Sequence, residues 1–104
     1  MAEFRIASKG ATLNVIGLKN LDASNSQEFG DAVRAALQPE HTAIQIDLSK
    51  TSTVDSCGLG VLISLHKTMQ ERKGTVQVRN PSRKIRDIFE LTRLQRIIEI
   101  DPKD

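Results

Sequence analysis

Tyrosine and tryptophan are absent from this chain, and phenylalanine occurs three times. A core built from it must rely on Ile, Leu, Val and Ala. The same scarcity removes the stacking platforms that single-stranded nucleic acid needs. A formal net charge of +2 is too small to suggest a nucleic-acid surface. One cysteine cannot close an internal disulfide, so nothing in the composition speaks for secretion, and a cytoplasmic location is expected. The opening M-A-E-F-R has no apolar run and does not read as a signal peptide. The longest apolar stretch, Leu59 to Leu65, is interrupted by Gly60 and Ser64 and is far too short to span a bilayer. Ligand-type residues are too few for a metal site, and no cofactor motif is present.

What remains is a length of 104 residues with 27% charged side chains, expected to form one domain, 1–104, with its core over about 4–100. Phe4 and Ile6 alternate with polar neighbours as in a strand, Ser8-Lys9-Gly10 offers a turn, and Thr12 to Gly17 reads as its antiparallel partner. Asp22 or Ser24 is placed to cap a helix whose stripe is Phe29, Val33, Ala36 and Leu37, ended by Pro39. Ala43 to Leu48 alternates as a strand. A second helix is expected over Gly58 to Lys73 with Gly74 as its stop, then a strand over Thr75 to Arg79. Pro81-Ser82 opens a third helix carrying Ile85, Ile88, Phe89 and Thr92 on one face, and Ile97 to Ile100 is a final edge strand. The basic residues Arg79, Arg83, Lys84, Arg86, Arg93 and Arg96 read as a solvated surface balanced in part by Asp87 and Glu90. Strands alternating with helices predict an α/β fold: a small, mostly parallel sheet opened by a hairpin, with helices packed on it.

Chemistry concentrates in Val54-Asp55-Ser56-Cys57-Gly58-Leu59-Gly60, between a strand end and a helix start. Ligands and partners of open α/β sheets gather at the carboxyl ends of strands. A helix N-terminus adds unpaired N–H groups and a dipole that favours negative charge. From spacing alone, a helix cap followed by a tight turn is the more ordinary explanation of these residues. Enzymatic readings fail on missing parts. A tyrosine-phosphatase loop needs an arginine six positions after its cysteine, where Ile63 stands; a redox pair needs a second cysteine; a P-loop needs G-K-(S/T). His41 and His66 are distant in sequence, so a Cys–His dyad has no support, and His66 reads as a residue bordering the core. A receiver domain would require an acidic pair after an early strand, and Val15-Ile16-Gly17 supplies none.

The segment I-D-L-S-K-T-S-T-V-D-S-C-G-L-G-V-L, residues 46–62, resembles a STAS domain of the anti-sigma factor antagonist type. Leu21-Asp22-Ala23-Ser24 and the closing I-F-E-L-T-R-L-Q-R-I-I-E-I, residues 88–100, are softer matches, and the resemblance spans about Phe4 to Ile100. It implies a non-enzymatic bacterial protein that binds a serine-kinase anti-sigma factor and so frees a sigma factor for transcription. A serine phosphatase is implied as a second partner. The family's phospho-acceptor, the hydroxyl before the first glycine, falls on Cys57. Three consequences stand open: a permanently binding antagonist that takes no phosphate, which is favoured; transfer to Ser56 instead; or a redox role for the thiol. A fourth, bland reading makes Cys57 an inert buried filler. The resemblance also implies partner contacts at Asp22, Asp55, Ser56, Cys57, Gly58, Leu59, Gly60 and Ile63. Asp55 is expected to cap the helix close to Asp22. Val61 and Leu65 are expected to pack inside, with Leu59 or Ile63 partly available. STAS modules beside lipid-transporter ATPases or in stress-sensing complexes are the alternative of the same fold.

Overall fold

The structure, a computed structural model, describes residues 4–101. Its main sheet has five strands in the order β1-β2-β4-β6-β7. These are β1 (Arg5–Lys9), β2 (Thr12–Ile16), β4 (Ala43–Asp47), β6 (Thr75–Arg79) and β7 (Glu99–Ile100). Only β1 and β2 pair antiparallel; the other contacts are parallel. A two-residue pair, β3 (Asn20–Leu21) and β5 (Thr53–Val54), forms a separate parallel ribbon. The described residues also form three α-helices: α1 (Ser26–Ala36), α2 (Ser56–Gln70) and α3 (Arg83–Leu91). The expected α/β architecture with an opening hairpin is the observed one.

Side chains alternate along strands, so one face of the sheet collects the apolar set. Leu13 lies in register with Ile44 and Ile44 with Val76, while Val15, Ile46 and Val78 repeat the row one step on. All six are buried, in one cluster with Phe29, Val33, Leu62, Leu65, Met69, Ile85 and Phe89 from the helices. The opposite face presents Asn14, Gln45 and Gln77 in register, half-exposed, with the Gln45 and Gln77 amides 3.2 Å apart.

Several boundaries differ from expectation, each for a local reason. The α1 N-cap is Asn25, whose side chain makes no capping bond; neither Asp22 nor Ser24 caps the helix. Helix α2 starts two residues early, at Ser56, because Asp55 rather than the glycine sets its first turn. It ends at Gln70, and the turn that follows puts Lys73, not Gly74, in the left-handed region at φ 59°. Gly74 serves close approach instead: a Cβ there would stand 2.6 Å from the Thr42 carbonyl oxygen. Val61 is half-buried against α1 rather than inside the core, and Leu62 takes the interior place beside Leu65. Ser82 caps α3, accepting from the Ile85 N–H at 3.2 Å, as Pro81-Ser82 suggested. A 3-10 turn over Leu94–Arg96, with no counterpart in the sequence reading, buries Leu94 and shortens the last strand to Glu99–Ile100.

Candidate functional site

The β3–β5 ribbon brings two loops together at the carboxyl end of the strands. Leu21 pairs with Val54, so Asp22 and Asp55 follow side by side. Thr51, buried behind them, donates its hydroxyl to the Leu18 carbonyl, and the Ser52 N–H donates to the Lys19 carbonyl at 2.9 Å. These bonds fix the approach of the chain to β5.

Asp55 is the hinge pin of the arrangement. One carboxylate oxygen accepts the Gly58 N–H at 3.0 Å and caps α2; the other accepts the Ala23 N–H at 3.1 Å across the gap between loops. Its own N–H donates to the Leu21 carbonyl at 3.2 Å. The same carbonyl explains Gly58. A Cβ at that position would lie 2.2 Å from the Leu21 oxygen, so only glycine permits α2 to start against β3.

Asp22 lies close to Asp55, as expected, but it builds a turn. Its carboxylate accepts the Ser24 hydroxyl at 2.6 Å, the Ser24 N–H at 3.0 Å and the Asn20 amide at 2.9 Å. Its carbonyl accepts the N–H groups of Asn25 and Ser26 at 3.1 and 2.8 Å. Asn25 closes the turn, accepting the Asp22 N–H at 3.0 Å and donating to the Asn20 carbonyl at 2.7 Å. The Ser24 hydroxyl, then the Asn20 amide and the Ser24 N–H, hold the Asp22 carboxyl below its ordinary pKa. Asn20 and Asn25 were not singled out from the sequence, and Ser24, expected as a possible helix cap, instead bonds the Asp22 carboxylate. The run N-L-D-A-S-N, dense in residues that bond their own backbone, is the signal that marks such a turn.

Above this scaffold, Ser56 and Cys57 are exposed in the first turn of α2. The Cys57 thiol is free and exposed, which removes the reading of a buried filler. Gly60 is exposed with no atom within 4 Å of where its Cβ would stand. Leu59 and Ile63 are half-buried against the core edge. The surface around Cys57 is therefore a firmly bonded acidic turn, a thiol, a bare glycine patch and two partly available aliphatics. Neither histidine is placed to serve the thiol. His66 lies nine residues further along α2, about 13 Å at 1.5 Å per residue. His41 is buried before β4, at the opposite end of the sheet. Among the described residues, no three of His, Cys, Asp and Glu cluster to hold a metal, and no helix is long and apolar enough to cross a membrane.

Comparison with known proteins agrees with this geometry. The family model described as Mlab, STAS domain, matches residues 2–99. An anti-sigma-B factor antagonist of Listeria monocytogenes is 31% identical over 80 residues, covering 77% of this chain and 70% of that protein. Among solved structures, a candidate anti-sigma factor antagonist of Thermotoga maritima superposes with a TM-score of 0.86 at 24% identity, covering 93% of this chain and 84% of that one. The phosphorylated form of the Bacillus cell fate determinant SpoIIAA gives 0.73 at 20% identity, covering 96% and 92%. The structural likenesses carry the fold, and the family model and the Listeria relative carry the kinship: the chain belongs to the STAS domain family, among the anti-sigma factor antagonists.

Proposed function

We propose that this chain binds a kinase-type anti-sigma factor through the Asp22 turn, Asp55–Gly60 and Ile63, and thereby releases a sigma factor in the cytoplasm. The observation that carries the reading is the exposed first turn of α2, locked by Asp55 to the Asp22 turn and left bare at Gly60. Rigid presentation lowers the ordering cost of docking. Its relatives are named as antagonists, a binding role rather than a catalytic one.

Cys57 stands where the family accepts phosphate, and the protein is a constitutive binder. A phosphoryl group would add about −1.5 to −2 charge at the centre of the docking surface and oppose binding. Without the serine hydroxyl that switch is absent. SpoIIAA has been solved in both unphosphorylated and phosphorylated forms, so a relative of the same fold does carry the modification.

The test is affinity capture from the source cell's lysate with ADP or ATP present. Recovery of an ATP-binding kinase, with its sigma factor lost from that kinase, supports the proposal. Recovery of a transporter ATPase or a large STAS assembly overturns it in favour of the alternative. Incubation of the purified pair with ATP should leave the chain's mass unchanged, while Cys57→Ser should gain one phosphate. A phosphate on the unaltered chain would instead assign the acceptor role to Ser56.

A further inference from the structure

We infer that a cleft at the carboxyl ends of β2 and β4 binds a carboxylate carried on a short apolar stem. The cleft encloses about 480 Å³ and is lined by Arg5, Ile16, Gly17, Asp47, Ser49 and Lys50. That volume lies within the range of small-ligand sites.

Three features set the ligand's chemistry. Arg5 and Lys50 both line the cleft and form no side-chain hydrogen bond or ion pair among the described residues. Arg5 is in register with Ile16 across the hairpin, and Ile16 is 47% exposed, one of the few large aliphatics so open. A cation fork beside an apolar wall suits a planar anion with a hydrocarbon stem. Asp47 supplies the discrimination. Its carboxylate is engaged by the Ser49 N–H at 2.7 Å and the Asn80 amide at 3.2 Å, so it stays in the wall. The lining thus carries a net charge of +1, which favours an anion over a cation of the same shape. A free short-chain acid and the glutamate of a protein segment share this chemistry.

The inference does not rest on the sigma-factor reading, because its test uses this chain alone. Backbone amide shifts of the labelled full chain are followed by NMR during titration with sodium pentanoate. Pentylammonium chloride supplies the same stem with opposite charge. Saturable shifts at Ile16, Gly17, Ser49 and Lys50 are expected for pentanoate only, with binding weakened roughly tenfold by Arg5→Ala or Lys50→Ala, the loss of one charge-assisted hydrogen bond. The dispersion of the same spectra reports that each variant is folded. A capped Leu-Glu dipeptide amide distinguishes the sources: tighter binding than pentanoate assigns the site to a protein segment, weaker binding to a free acid. Absence of saturation by both up to roughly 100 mM, equal response to the ammonium probe, or indifference to both substitutions overturns the inference.

Discussion

Gly58 and Gly60 sit two residues apart on α2 and answer to different demands. A methyl at Gly58 collides with the Leu21 carbonyl, whereas one at Gly60 meets nothing. Gly58→Ala is therefore expected to cost about 2–4 kcal/mol, through displacement of backbone that cannot yield cheaply. Gly60→Ala should gain up to about 1 kcal/mol from helix propensity. Urea midpoints measured side by side check both; equal shifts for the two variants would contradict the packing of α2 on β3. In the partner complex the ranking should reverse in interest, since Gly60→Ala leaves the fold intact and alters only the surface. Asp22 gives a pH effect whose sign is settled. Its folded pKa is depressed below the ordinary 3.8, chiefly by the Ser24 hydroxyl. Its stabilising contribution is present above that value and fades as pH falls through the folded pKa. Asp22→Asn should flatten the acid limb of the stability curve below about pH 4 while leaving its shape near neutrality unchanged. An unaltered acid limb would show that the turn does not hold in solution.

Among the elements, the β3–β5 ribbon has only two residues a side, yet both site loops hang from it. Its support comes from Thr51 behind it. Thr51→Val keeps the shape and removes the donor to the buried Leu18 carbonyl, at an expected cost of about 1–3 kcal/mol. Hydrogen exchange should quicken at Ser52 and Asp55, whose amides bond to Lys19 and Leu21, ahead of the strands of the main sheet. Uniform exchange across the molecule would instead show one cooperative unit. This ribbon also marks the limit of legibility. The alternation of Ile44, Ile46 and Leu48 disclosed β4, and the Phe29–Val33 spacing disclosed α1, because period and burial coincide there. Two-residue strands have no period to read. Asp22 was legible as a polar residue before a helix but not as the acceptor of its own turn, because both uses draw on the same side chains. Gly74 was legible as a stop for the wrong reason: the close approach of Thr42 that requires it is a tertiary contact.

At the scale of the molecule, the two ends of the sheet are built differently. The strand-carboxyl end carries the exposed candidate site and the Arg5–Lys50 cleft. The other end is sealed by His41, which is buried, accepts the Gln38 N–H at 2.9 Å on Nδ1 and faces the Ser8 hydroxyl with Nε2 at 2.9 Å. With Nδ1 accepting, the ring proton belongs on Nε2. Arg72 at the end of α2 fastens the same corner, donating to the Gln38 and His41 carbonyls at 2.7 and 3.2 Å. His41→Ala should cost about 2–4 kcal/mol by orphaning buried polar groups and opening a void. Partner affinity measured well below the melting temperature should not change. Weakened affinity without loss of stability would place the far corner within the docking machinery.

The Ala23 N–H and the Asp55 carboxylate that joins the two loops are 32 positions apart along the chain. Between them lie α1, β4 and the two residues of β5. During synthesis, then, no nascent fragment ending before Asp55 can display the surface, and closure of so distant a contact belongs late in folding. A fragment cut before Asp55 keeps the Asp22 turn but lacks the carboxylate that joins it to α2, so the two loops can present one surface only in chains that extend past that residue.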